Sequence, residues 1–256
     1  MNNEILLLGT GTSVGIPMIG CQCAVCQSPD SRDKRLRTSA YISYEGSVFL
    51  IDIGPDFRQQ LLTYDIQNID AILLTHPHRD HIGGFDDIRA LNFLNDSKII
   101  SLYANDFTWK SLQKQFYYAF QPSDYTSLPA ANYIPVDLDS FEHNGIPITP
   151  IKLKHGTMPC LGFRIGNLAY MTDVSEISES EFEKLEDLDV LILDSLRKTK
   201  HPSHLSLDES VEIATRINAK RTYFTHLSHH MGLHKEVSKE LPNNILLGYD
   251  GLRIQF

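Results

Sequence analysis

Residues 76–81 read His-Pro-His-Arg-Asp-His, so four of six consecutive side chains (His76, His78, Asp80 and His81) carry an imidazole or a carboxylate able to bind a divalent cation. Nitrogen and oxygen donors with no thiolate among them are borderline ligands, suited to Zn²⁺, with Mn²⁺ or Fe as alternatives. Accidental histidines in a polar loop account for one or two such residues and not for this density. Further along the chain, three apolar runs each end in a ligand-type residue: IKLKH at His155, LAYMTD at Asp173 and RTYFTH at His226. A lone histidine of this kind is usually a hydrogen-bonded core residue, and an aspartate after a strand is often an N-cap. Taken with residues 76–81, they point to one shared metal site.

A second constellation is chemically different. Cys21, Cys23 and Cys26 stand in C-x-C-x-x-C spacing, and Cys160 lies far away in a strand-like context. A disulfide between neighbours this close is strained and leaves one thiol over. Three thiolates suit a tetrahedral structural Zn²⁺ with one more ligand. His229, three residues after His226 in THLSHHMG, is the leading candidate, with His230 and Cys160 as competitors. Such a zinc would tie the N-terminal loop to the segment that carries His226.

Elements must hold these groups in place. Short apolar or β-branched runs predict strands at EILLLG, SAYISYE, SVFLIDIG, DAILLT, KIISLYA, IPITPIKLKH, CLGFRIG, LAYMTD, DVLILD, RTYFTH and the terminal ILLGYDGLRIQF. Helical patterns fall between them at PDFRQQLLTY, GFDDIRALNFL, DFTWKSLQKQFYYAF, SESEFEKLEDL, SLDESVEIATRIN and LHKEVSKEL. Each half gives strands first and then helices alternating with strands. The expected fold is therefore an α+β, αββα four-layer sandwich of two mixed sheets flanked by helices, as a single domain over residues 1–256. HPHRDH reads as a loop at a strand's carboxyl end, where α/β proteins commonly keep their chemistry. QPSDYTSLPAANYIP, residues 121–135, reads as an irregular surface loop.

With these residues in view, the chain resembles the metallo-β-lactamase superfamily, whose His-x-His-x-Asp-His signature is matched by His76, His78, Asp80 and His81. His155, Asp173 and His226 match its later single-residue motifs. The resemblance implies one ion held by His76, His78 and His155, a second held by Asp80, His81 and His226, and Asp173 bridging them. Zn or Mn are the expected ions, and the chemistry of such a centre is hydrolysis. GTGTSVGIP, the cysteine knuckle and Thr225–His229 narrow the resemblance to the branch of phosphoribosyl cyclic phosphodiesterases of the carbon-phosphorus lyase pathway. That implies hydrolysis of a small cyclic phosphodiester, with Asp80 and His204 as catalytic residues. His204 would donate a proton or bind a phosphoryl oxygen, and His201 is the alternative in register. Asp52 matches the position of a carboxylate that fixes a ligand histidine, and a turn-capping aspartate is the competing reading. Asp194 is expected to end its strand. His143 and His234 receive no role.

The 256 residues carry a formal net charge of −9 and a sequence pI near 5.6, which argues against a long nucleic acid as partner. A local basic stretch, Arg32, Lys34, Arg35 and Arg37, is a candidate for a substrate's second phosphate or else a solvated loop. The expected partner is a small phosphorylated substrate, with no membrane; a homodimer is left open. MNNEILLLGTG lacks a basic n-region, so a cytoplasmic location is expected. Three other functions compete: a tRNA 3′-end endonuclease, a thioesterase or lactamase, and a non-hydrolytic accessory protein like that of pyrroloquinoline quinone biosynthesis.

Overall fold

The computed structural model describes residues 3–94, 99–121 and 127–256. Among the described residues, one sheet has the order β15 (Arg253–Gln255), β1 (Glu4–Gly9), β2 (Ser39–Tyr44), β3 (Ser47–Ile51), β4 (Ala71–Leu73), β5 (Ile100–Ala104), β6 (Ala131–Pro135). The other has the order β11 (Glu176–Ile177), β8 (Ile146–His155), β9 (Met158–Ile165), β10 (Leu168–Met171), β12 (Val190–Asp194), β13 (Arg221–Thr225), β14 (Ile245–Leu247), with β7 (Phe141–His143) also paired to β8. Both sheets are mixed. β3 to β6 run parallel in the first, and β10, β12, β13 and β14 in the second.

The continuous apolar runs follow from burial on both faces. In β1, Ile5 and Leu7 enter the core between the sheets, while Leu6 and Leu8 face a second core on the outer side. β12 does the same, with Val190 and Ile192 turned inward and Leu191 and Leu193 outward. A strand covered on one face only would alternate apolar and polar residues; these do not, because helices cover the outer faces. α2 (Phe57–Thr63), α4 (Ile88–Leu94) and α5 (Asp106–Gln115) cover the first sheet through Phe57, Leu91 and Leu112. α6 (Leu207–Ile217) and the short α7 (His234–Val237) cover the second through Leu207, Ala214 and Val237. The result is the expected αββα sandwich. α1 (Ala24–Gln27) and α3 (Arg79–Ile82) are single turns that carry site residues.

Several expectations change in detail. ILLGYDGLRIQF is two strands on different sheets, because the turn at Gly248–Gly251 crosses from β14 to β15 and is pinned by Asp250, which accepts Thr10 N–H at 2.9 Å and Leu36 N–H at 2.6 Å. The stretch expected to be an irregular loop contains β6 at its end, while residues 122–126 of it lie outside the described residues. Lys98, at the start of the expected KIISLYA strand, also lies outside them. SESEFEKLEDL forms a 3₁₀ helix over Glu179–Leu185. HPHRDH is a loop only in its first half, since the His78 carbonyl accepts the amides of His81 and Ile82 and starts α3. No helix among the described residues is long and apolar enough to cross a membrane.

Candidate metal centre

Parallel strands end together, so the residues after β3, β4, β10, β12 and β13 meet along one edge of the sandwich. His76, His78, His155 and Asp173 offer ligand atoms that all lie within 4.8 Å of one another, and so do Asp80, His81 and His226. His76 Nε2 is 3.1 Å from His78 Nδ1, close to the roughly 3.3 Å separating two nitrogens on a tetrahedral ion. Asp173 lies between the two groups, with Oδ2 3.2 Å from His81 Nε2 and Oδ1 3.4 Å from His226 Nε2 and 3.7 Å from His76 Nε2. The seven expected ligands therefore converge.

Their local geometry is unusual. Asp52, Asp173 and His226 follow β3, β10 and β13 with φ of 58°, 56° and 59°. A left-handed backbone costs an L-residue about 1–2 kcal/mol, and aspartate and histidine tolerate it better than most. Backbone strain of this kind concentrates where function requires it, here in turns that bring side chains to the sheet edge.

Neighbouring groups fix the imidazoles. His81 Nδ1–H donates to Asp52 Oδ2 at 2.7 Å, and His155 Nδ1–H donates to the Ser203 carbonyl at 2.8 Å, so each turns Nε2 inward. Thr75 Oγ1 bridges Asp52, at 2.8 Å, and His76 Nδ1, at 3.0 Å. Asp52 also accepts Thr75 N–H, so it organises two ligands rather than merely capping a turn.

Electrostatics match a cation site. Burial, followed by the neighbouring His81, holds His76 well below the usual imidazole range, as a neutral ligand must be. Burial also lowers His78 and His155. At His81 burial pulls downward, but the carboxylates of Asp173, Asp80 and Asp52 outweigh it and push the ring well above its usual value. Burial would raise Asp173 and Asp80, yet the surrounding imidazoles hold both below the ordinary carboxylate range. His81 Nε2 and both ring nitrogens of His226 are buried with no hydrogen-bond partner, although carboxylate oxygens stand near. Donors that are close and poorly aimed at one another are what ligand atoms look like when they converge on a point between them. The residues fit a divalent ion.

His204 is buried beside this cluster. Its Nδ1 lies 3.4 Å from Asp194 Oδ1 and 3.9 Å from Asp173 Oδ1, and its ring stacks at 4.8 Å on His226. His201 sits one step outward, 5.1 Å from His204 ring to ring. Asp194 does more than end its strand: it accepts the amides of Asp173 and Leu205 and lies 3.5 Å from His226 Nδ1. The signal that could have exposed this was the full burial of LILD, which leaves a terminal carboxylate needing partners.

At the knuckle, His229 Nδ1 stands 3.2, 3.4 and 3.7 Å from the sulfurs of Cys21, Cys23 and Cys26. A tetrahedral zinc with sulfur and nitrogen ligands places them roughly 3.6 Å apart. His229 is the residue grouped with the three sulfurs; His230 packs on it at 4.1 Å, and Cys160 is buried within β9. The Cys26 amide and the His229 contact lower the Cys23 thiol to about 6, while burial pushes Cys26 up to about 11.

The four cations of the basic stretch all have partners within the protein. Arg35 is buried and donates to Thr10 Oγ1 at 2.7 Å and the Gly248 carbonyl at 2.6 Å. Arg32 pairs with Asp30, Arg37 with Asp56, and Lys34 donates to the Cys26 carbonyl. Of the four, Lys34 touches the knuckle itself, while Arg35 ties the turn after β1 to the Gly248–Gly251 turn. His143 contacts the Tyr103 hydroxyl at 2.9 Å, and His234 lies against Arg35.

A family model described as a β-lactamase superfamily domain matches residues 48–227, which span β3 to the turn after β13. The chain belongs to the β-lactamase superfamily. Within it, a solved structure described as a new diphosphatase from the PhnP family superposes with a TM-score of 0.93 at 42% identity, over 99% of this chain and 98% of that one. Zn²⁺-bound PqqB from Methylobacterium extorquens shares the fold, with a TM-score of 0.79 at 20% identity over 99% of this chain and 100% of the other. An octanoyltransferase of Porphyromonas gingivalis is 39% identical over 250 residues, 96% of this chain and 50% of that protein. The chain thus spans about half the length of this curated relative. The superfamily fold implies divalent-metal binding, and the His/Asp cluster is where its members' edge loops would supply it.

Proposed function

We propose that the protein is a metal-dependent phosphodiesterase that hydrolyses a small phosphodiester, such as a cyclic phosphate on a phosphorylated ribose. The observation that carries this reading is the convergence of His76, His78, His155, Asp80, His81 and His226 around Asp173, with buried ring nitrogens that have no hydrogen-bond partner. The likeness to a PhnP-family diphosphatase supports phosphorus as the centre attacked. In this reading His76, His78 and His155 would hold one ion and Asp80, His81 and His226 the other, with Asp173 available to either. Two divalent ions, Zn or Mn, would supply positive charge to the phosphoryl oxygens and acidity to a water when bound. Asp52 holds His81 and, through Thr75, His76 in the ligating orientation. Asp194 steadies His204, which gives a proton to the departing alkoxide. A structural zinc at Cys21, Cys23, Cys26 and His229 keeps His226, three residues earlier, in place.

A tRNA endonuclease reading is disfavoured by the net charge of −9 and by the internal pairing of Arg32, Lys34, Arg35 and Arg37, which removes the main local cationic patch. Octanoyl transfer belongs to the name of a protein twice as long and brings no assignment to this half. The test is turnover by metal-replete protein of a ribose cyclic phosphodiester and bis(p-nitrophenyl) phosphate, beside a thioester and a lactam. Phosphodiester turnover alone is expected. Preferred turnover of the thioester or lactam, or salt-sensitive tRNA retention with cleavage, would replace this reading.

A further inference from the structure

A cleft of about 660 Å³ opens on the same edge of the sandwich as the metal cluster. Its walls are the segments after β5 and β6 on one side and the β8–β9 hairpin on the other, with Phe107, Val136, Leu138 and Pro159 as apolar lining. β5 and β6 run parallel to β4, whose end carries His76, so the cleft lies one to two strands away, about 5–10 Å at ordinary strand spacing. The hairpin gives the same distance. Lys152 and Leu161, which line the cleft, are cross-strand partners three residues back from the His155↔Met158 pair, about 10 Å along the strands. Leu161 N–H also donates to the Thr75 carbonyl at 3.0 Å, which fixes the cleft wall against the residue preceding His76.

Two lining side chains keep large apolar surface in water: Phe107 is 50% exposed and Leu138 38%. Lys152 is balanced in the lining by Asp106 and Asp137, so no net positive field favours an anion. The volume is that of a small-molecule site, and an exposed aromatic face with aliphatic neighbours favours a flat ring. Asp194 and His204, which serve the leaving group in the proposed function, follow β12 on the opposite flank, separated from β9 by β10. We propose, resting on the phosphodiesterase reading and for open-chain diesters, in which the leaving and retained groups are separate, that this cleft binds a planar ring on the ester substituent that stays attached to phosphorus, with Phe107 as a specificity-determining contact.

The experiment keeps the leaving group constant and varies only the retained ester, using phenyl p-nitrophenyl phosphate and methyl p-nitrophenyl phosphate. Metal-replete parent, Phe107→Ala and Leu138→Asp proteins are compared, and their thermal unfolding is recorded to show that each folds. The parent should have the lower KM for the phenyl ester, and each variant should raise that KM roughly 3- to 10-fold while leaving the methyl ester unchanged. Calorimetric titration with phenyl phosphate and methyl phosphate supplies a readout independent of turnover, in which only phenyl phosphate should lose affinity in the variants. Equal effects on both esters, or equal affinity losses for both monophosphates, overturn the cleft assignment and leave the phosphodiesterase reading standing. If neither diester is turned over, the functional reading fails, and the titrations alone decide whether the cleft holds a ring.

Discussion

His81 donates its Nδ1–H to Asp52 Oδ2 at 2.7 Å, with both side chains wholly buried. The carboxylate both orients the ring and raises the basicity of the nitrogen that faces the cluster. Asp52→Asn keeps the shape and removes the charge. Apparent affinity for active-site metal should fall about 10- to 100-fold, with unfolding little changed. Chelator competition on the metal-replete proteins measures this, and an unaltered affinity would show that Asp52 only caps its turn.

His204 stands close enough to Asp173 and His226 that the three could themselves share an ion. Proton donation and metal ligation make different predictions for His204→Gln. If it donates a proton, metal content stays at the parent value and kcat falls about 10²- to 10⁴-fold on an alkyl leaving group, with far less loss on p-nitrophenolate. Loss of a metal ion, or equal loss on both leaving groups, would make it a ligand instead.

The residues of this site were readable in sequence because parallel strands buried on both faces leave a plain signal: an apolar run with a ligand at its end. β4, β10 and β13 read this way, whereas β8 is antiparallel to its neighbours and alternates buried with exposed residues before it ends at His155. What escaped was set by tertiary contact. Asp194 looked like a strand end because its partners, Leu205 and Asp173, lie 11 and 21 residues away. The basic stretch read as a solvated loop or a phosphate contact because nothing in RDKRLR announces that Thr10 and Gly248 will surround Arg35. β6 was hidden by a turn-rich preceding segment and by its place at a sheet edge, where half-exposed residues carry little periodicity.

The knuckle and the edge cluster should behave as two separate metal sites, with metal loss carried in one direction only, from the knuckle to the edge. The parent is expected to carry three ions, Cys23→Ala to lose one zinc together with about 5–10 °C of thermal stability, and His78→Ala to lose active-site metal while keeping the knuckle zinc. Because His229 and His226 lie in one turn, Cys23→Ala should also weaken metal binding at the edge cluster. Elemental analysis beside thermal unfolding checks this. The same metal content in all three proteins would falsify the division into two kinds of site.

His234 gives a pH dependence that does not involve the metal ligands. Burial, then the adjacent Arg35 guanidinium 3.3 Å from its Nδ1, lowers its pKa from 6.5 to about 4. The fold therefore favours the neutral ring, whereas the unfolded chain takes up a proton near pH 6.5. The stabilisation is complete above that value and declines as pH falls toward 4, because the unfolded state binds the extra proton. Urea unfolding midpoints from pH 7.5 to 4.5 should fall more steeply for the parent than for His234→Gln, which has no ring to titrate. All other groups are common to both proteins, so the difference between the two curves isolates His234, and parallel curves would mean that burial and Arg35 leave its protonation unaffected.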